Sequence, residues 1–227
     1  KIKIDWLIKH RRLQDLENLL LTNPAAGKEP SAIKFLINER LSNAEIKSAC
    51  EKVSAIDKNV QNNYLEKFKI YCLINTDRED EAQLLFELLK ETGFKDDFFE
   101  DKINYLLGFK EKTNQKIVDN NLFNFYLYQI TAEDFNYQPN EKTDKYIWRY
   151  LSSSNLIQIN DFEDEKVILT YEKAAAEDSF KSEEIFNIYK QILFNVNQLI
   201  NADEVYKNLP NYKARALIYQ SILLSDN

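Results

Sequence analysis

Residues able to do chemistry are few and scattered along this chain. His10 is its only histidine. Metal sites built on histidine pairs, and Ser-His or Cys-His nucleophile systems, need a histidine with partners. His10 instead stands among Lys9, Arg11 and Arg12, whose charge disfavours both a metal ion and an imidazolium, so it reads as a surface histidine. Cys50 and Cys72 are the only cysteines, and the two further ligands that zinc would need are not evident. Three readings stay open for them: two buried small hydrophobes, a disulfide or, least expected, a reactive thiol, since no activating base is nearby.

Carboxylates gather at Asp77, Glu79, Asp80 and Glu81, at Asp96, Asp97, Glu100 and Asp101, and at Asp161, Glu163, Asp164 and Glu165. Each group falls at an expected helix start, where negative charge complements the helix dipole without further function. None has the glycine that turns a calcium loop. A paired-carboxylate hydrolase would need two acids in one cleft. Gly27, Gly93 and Gly108 lie too far apart for a phosphate-cradling loop. No catalytic residue, metal ligand or cofactor is therefore expected.

Aromatic residues concentrate between 123 and 150: Phe123, Phe125, Tyr126, Tyr128, Phe135, Tyr137, Tyr146, Trp148 and Tyr150. Helical spacing sends some to a core, which is the favoured reading. Too many leave a single stripe for a two-layer array to bury all of them. Tyr126, Tyr137, Tyr146, Trp148 and Tyr150 are thus candidate contacts for a peptide or partner protein.

The elements that must position these residues are helices. Three glycines and four prolines are too few for the tight turns of a sandwich or barrel. Apolar residues recur at helical spacing in Leu65, Phe68 and Cys72; in Ala82, Leu85, Phe86 and Leu89, before Gly93; in Phe99, Ile103, Leu106 and Leu107, before Gly108; in Ile185, Tyr189, Ile192 and Val196; and in Ala214, Leu217 and Ile218. The pattern predicts helices near 3–10, 13–22, 31–41, 43–56, 61–75, 78–92, 96–107, 119–130, 143–152, 161–177, 182–195, 202–208 and 211–224. Residues 109–118 form a polar connection, and 132–142 the longest loop.

The net charge of −7 argues against nucleic acid as the main ligand, which needs a positive footprint. The one tight basic cluster, from Lys9 to Arg12, reads as a solvated helix end. No apolar run approaches the roughly 18–20 residues that span a bilayer. The chain starts at Lys1 and contains no methionine. It is expected to be a fragment or a processed product, so a missing signal sequence proves nothing.

A repeat is visible in the N-terminal part. Leu7 and Leu16 are followed by Leu19 and Leu20, Ile37 and Ile46 by Ala49 and Cys50, and Leu73 and Ala82 by Leu85 and Phe86. Each unit ends one helix, turns, and opens the next on a matching apolar face. The units begin 30 and then 36 residues apart. This resembles a degenerate tetratricopeptide repeat, whose period is about 34 residues. The resemblance implies an all-α array of antiparallel helix pairs, a tetratricopeptide-like α-solenoid, with repeats over 1–108 and a continuing helical array over 109–227.

A second resemblance rests on Ala49-Cys50, Tyr64, Lys67, Tyr71-Cys72, Ala82, Leu84, Leu88-Leu89, Lys90-Glu91, Gly93, Asp97, Phe98-Phe99 and Leu107-Gly108. This run is similar to a group of uncharacterised, exported helical proteins of α-proteobacteria, some of which carry a misleading antifreeze label. The resemblance implies no activity and no catalytic residues. It does imply export, with a periplasmic location favoured over a cytoplasmic one. In an oxidising compartment a Cys50–Cys72 disulfide stands level with two free thiols.

The expected function is a non-enzymatic interaction or scaffold module that binds a peptide or partner protein on a solenoid surface. The alternative is a helical accessory domain of an enzyme acting on a polymer such as cell-wall glycan. Nothing in the residues fixes an oligomeric state.

Overall fold

The computed structural model describes residues 2–23, 29–54, 62–157, 162 and 164–225. Helix covers 68% of them and no strand occurs among them, which settles the class as all-α. The segment between the helices expected at 43–56 and 61–75 lies outside the described residues. So do Pro24 and Gly27, and Asp161 and Glu163 of the third acidic group. The chain forms two compact units, Lys1–Asn136 and Tyr137–Asn227.

The N-terminal unit runs through α1 (Ile2–Lys9), α2 (Leu13–Thr22), α3 (Pro30–Ser42), α4 (Ile46–Ser54), α5 (Asn63–Ile74), α6 (Glu79–Glu91), α7 (Asp97–Leu106) and α8 (Leu122–Thr131). Consecutive helices pack on one another, α1 on α2, α3 on α4 and α5 on α6. One turn serves all three. Arg11, Ala44 and Asp77 hold left-handed backbone (φ 51°, 60° and 56°) at intervals of 33 residues. In each turn the next residue's N–H reaches back to the finished helix: Arg12 to Leu7 O, Glu45 to Arg40 O and Arg78 to Leu73 O, all 2.9 Å. Such bonds satisfy carbonyls that the helix end leaves open. In α3 the residue whose carbonyl makes this bond is therefore Arg40, three positions after Ile37. Arg40 is charged where Leu7 and Leu73 are apolar, so hydrophobic matching slips by nearly one turn. Leu16, Ala49 and Ala82, at the same 33-residue spacing as the turns, are all fully buried.

The unit extends past Gly108, where the sequence pattern places a boundary, because α8 packs against both α7 and α3. Every residue from Leu122 to Tyr128 is buried. Apart from Asn124 the run is apolar or aromatic all round, and a helix of that kind must be covered on all sides. Phe123 meets Phe68 edge-on at 4.9 Å and also contacts the rings of Tyr64, Tyr71 and Phe99. Asn121 caps α8, accepting from Asn124 N at 3.0 Å. The helix consequently starts at Leu122 rather than 119, and residues 107–121 become the longest connection among the described residues.

The C-terminal unit contains α9 (Lys145–Ser153), α10 (Glu165–Ala176), α11 (Ser182–Gln191), α12 (Val196–Ile200), α13 (Ala202–Val205), a single 3₁₀ turn (Tyr206–Asn208) and α14 (Asn211–Ser225). Its core joins Trp148, Ile168, Tyr171, Phe180, Ile188 and Ala216. The apolar stripe from Ile185 to Val196 suggests one helix, but the chain leaves helix after Gln191. Asn195 and Gln198 then form a capping box that opens α12, and Val196 is 66% exposed. From α14, Gln220 Nε2 donates to the carbonyls of Tyr189 (2.7 Å) and Ile192 (2.8 Å), closing the end of α11.

Candidate functional site

The aromatic residues singled out from the sequence do not form an exposed surface. Tyr126, Tyr137, Trp148 and Tyr150 are each at most 8% exposed, and of the five only Tyr146 is half-exposed. The expectation of a recognition face is corrected by where these rings go. Tyr126 sits in the N-terminal unit, its hydroxyl paired with that of Tyr71. Burial and the neighbouring Tyr71 push its pKa far above the ordinary phenol value, so Tyr126 stays protonated. Tyr137 shares a hydrogen bond with Thr143 at 3.1 Å. Trp148 lies edge-on to Tyr171 (5.2 Å) and Phe180 (6.1 Å) in the C-terminal core. The cluster in sequence is split between two cores, a division that spacing along the chain does not reveal.

The other candidates are accounted for locally. The sulfurs of Cys50 and Cys72 lie at bonding distance, 2.06 Å, and join α4 to α5. His10 stacks on Trp6 at 4.2 Å and its Nδ1 contacts Trp6 O at 2.8 Å. Arg11 pairs with the buried Glu39 of α3, and Arg12 with Asp15. Asp96 caps α7 by accepting from Phe99 N, and Asp164 caps α10 by accepting from Lys166 N and Val167 N. Glu79, Asp80 and Glu81 fill the first turn of α6. No group of three His, Cys, Asp or Glu among the described residues could hold a metal ion, and no helix among them is long and apolar enough to cross a membrane.

Asp101 has a structural task. It accepts from Lys110 Nζ at 2.8 Å, from Thr113 Oγ1, and from Asn114 N at 2.8 Å. Next to it the fully buried Lys102 donates to Asn114 O at 2.6 Å. Two adjacent residues of α7 thereby pin the backbone N–H and carbonyl of Asn114 and fix the connection to α8. Burial pushes the Asp101 carboxyl up, but the three hydrogen bonds and the Lys110 charge outweigh it and hold the pKa at about 2. The folded state therefore binds this proton less tightly than the unfolded chain. The resulting stabilisation, about 2 kcal/mol, is complete above the ordinary aspartate pKa and is lost as pH falls through about 2. In urea unfolding, Asp101→Asn is expected to be about 2 kcal/mol less stable than wild type at pH 7 and nearly equal to it at pH 2. A constant difference across that range would exclude the mechanism.

A feature that sequence reasoning missed lies in the C-terminal unit. A groove of about 530 Å³ runs between α10, α11 and α14, lined chiefly by Ala175, Ile185, Phe186, Ile218, Tyr219 and Ile222. Phe186, Ile218 and Ile222 are 41%, 41% and 53% exposed. Phe186 stacks on Tyr219 at 4.7 Å, which holds the ring against the groove wall. The polar part is self-contained. Glu172 accepts from Tyr189 Oη at 2.5 Å and from Arg215 Nε at 2.9 Å, and its second oxygen pairs with Arg215 Nη2. Burial, together with the bond to Glu172, pushes the Tyr189 hydroxyl up to about 12. The signal was present in α14. Tyr212, Ala216 and Leu217 face inward, while Ile218, Ile222, Leu223 and Leu224 remain exposed. The helix is apolar on two faces, and the Ala214, Leu217, Ile218 stripe identifies neither cleanly.

Comparison with known proteins finds no matching family, no matching curated protein and no matching solved structure.

Proposed function

We propose that this chain is a non-enzymatic interaction module, a tetratricopeptide-like helical array whose C-terminal groove receives an amphipathic helix of a partner protein. The observation that carries this reading is the apolar groove beside Phe186, Ile218 and Ile222. Elsewhere in the unit the apolar side of one helix is covered by another helix, as α11 and α10 cover α14. A helix that is apolar on two faces calls for cover on both. The groove has helical walls, apolar anchors about one turn apart at Ile218 and Ile222, and a neutralised Glu172–Arg215 pair. That suits insertion of side chains at i, i+3, i+4 and i+7 of a docking helix. The recurrence of one turn at 33-residue intervals supports the repeat reading, and the Cys50–Cys72 bond fits an oxidising compartment such as the periplasm.

The test is a photo-crosslinking residue placed at Ile222 and expressed in the native host, with the same residue at the exposed Leu84 of the N-terminal unit as control. The expected product at position 222, absent at 84, is a conjugate whose sequenced partner peptide has apolar residues at helical spacing. A conjugate with a second copy of this chain, or with a segment lacking that spacing, would refute the proposed occupant.

A further inference from the structure

On the far side of α11 from the groove, a small pocket of about 280 Å³ is lined by Ile157, Phe162, Phe180, Ile188, Gln191 and Glu184. Most of this surface is hydrocarbon, and Glu184 is half-buried within it. Its Oε1 accepts from the hydroxyl of Ser152 at 2.8 Å. Ser152, on α9, is only 2% exposed, so the carboxylate is held from below by a fixed donor. Among the described residues none donates a hydrogen bond to the other oxygen, Oε2, and no lysine or arginine forms an ion pair with Glu184. Lys181 and Glu183 act on it only through their fields, in opposite senses, and burial pushes its pKa up. A carboxylate in such surroundings gains from any cation that can reach it.

We propose that this pocket binds a primary alkylammonium group, with its stem on Ile157, Phe162 and Ile188 and its charge on the free oxygen of Glu184. Geometry selects the class of cation. A guanidinium binds carboxylates through a two-point fork, and Ser152 already occupies one side of Glu184. An ammonium is a compact charge that needs a single oxygen. The volume lies at the lower edge of the roughly 300–1,000 Å³ found for small-molecule sites, which limits the stem to a short chain. Two sources carry this chemistry, a free alkylamine and the lysine side chain of a partner. The inference is independent of the groove reading, since it uses the opposite face of α11.

The test titrates the whole chain with n-hexylamine, n-hexanol and N-acetyl-lysine methylamide, following the methyl signals of Ile157 and Ile188 by NMR. The amine is expected to bind about tenfold or more tightly than the alcohol, a difference of about 1.4 kcal/mol or more. In Glu184→Gln, whose amide oxygen can still accept from Ser152, the amine should fall to the affinity of the alcohol with an unchanged melting temperature. Binding of the blocked lysine as tightly as the free amine supports a partner's side chain as the source. Binding of the free amine alone supports a small molecule. Equal binding of amine and alcohol by the wild-type chain, no methyl shifts with any probe, or undiminished amine binding by Glu184→Gln overturns the proposal. The comparison of amine with alcohol needs no variant, so it stands even if Glu184→Gln fails to fold.

Discussion

Trp148→Ala is expected to lower the stability of the C-terminal unit by about 3–5 kcal/mol, the usual cost of removing a core tryptophan. Trp148 is 4% exposed. Its ring meets those of Tyr171 and Phe180 edge-on, so truncation removes buried area and opens a cavity bounded by rigid aromatics that cannot collapse into it. For a unit of this size each kcal/mol moves the melting temperature by about 4–8 °C, and the fall should amount to tens of degrees. Binding measured below the melt should not change, because the side chain has almost no surface to offer a partner. An unchanged melt with a lost partner would return Trp148 to the recognition role that the aromatic density of residues 123–150 suggests.

Breaking the Cys50–Cys72 bond is the second large effect. The cross-link spans a sequence separation of 22 residues, and closing a loop of that length restricts the unfolded chain by about 3 kcal/mol. Both cysteines are buried, at 6% and 5% exposure, so the reduced thiols pack without a polar penalty and the native fold should persist. Urea unfolding of Cys50→Ser/Cys72→Ser is expected to show that loss with little change in the helical spectrum. Thiol titration under denaturing, non-reducing conditions should find no free thiol in the native chain purified without reductant. Two free thiols in such material would contradict the bond.

Local rules read most of the secondary structure. The helix at 13–22 ends where its apolar period ends, and Gly93 and Gly108 close α6 and α7 with φ of 86° and 76°, the backbone that glycine adopts without a steric penalty. The turns between these helices were harder to read, because Arg11, Ala44 and Asp77 hold the same left-handed backbone without a glycine to announce it. Arg40 makes the same turn bond as Leu7 and Leu73 through its carbonyl, but its charge breaks the hydrophobic match between the three positions. In the structure that charge is used across helices, pairing with Glu17 of α2 at 2.9 Å and with Glu45 at 2.9 Å.

Tertiary partners account for what was not legible. Glu39, Lys67 and Lys102 carry charges, yet each is buried. Their partners Arg11, Asp96 and Asn114 lie 28, 29 and 12 residues away, beyond the reach of helical periodicity. The groove and the Glu184 pocket are likewise made by helices meeting. Ser152 and Glu184 are 32 residues apart, and Glu172 and Arg215 are 43 apart. Exposure decides between core and surface for an aromatic, and it depends on which helices cover which face. Phe186 and Trp148 look alike in sequence; one is 41% exposed and the other 4%.

The interaction reading turns on whether the groove holds a helix. The most direct measurement is the affinity of the partner peptide identified at position 222, made synthetically, for the wild-type chain and for Ile222→Glu. Ile222 is 53% exposed, so the substitution should leave the melt within about 0.5 kcal/mol of wild type. A carboxylate in the apolar groove should weaken the peptide by about 2 kcal/mol or more, some thirtyfold. Equal affinities at equal stability would contradict the account and remove the groove from the binding surface.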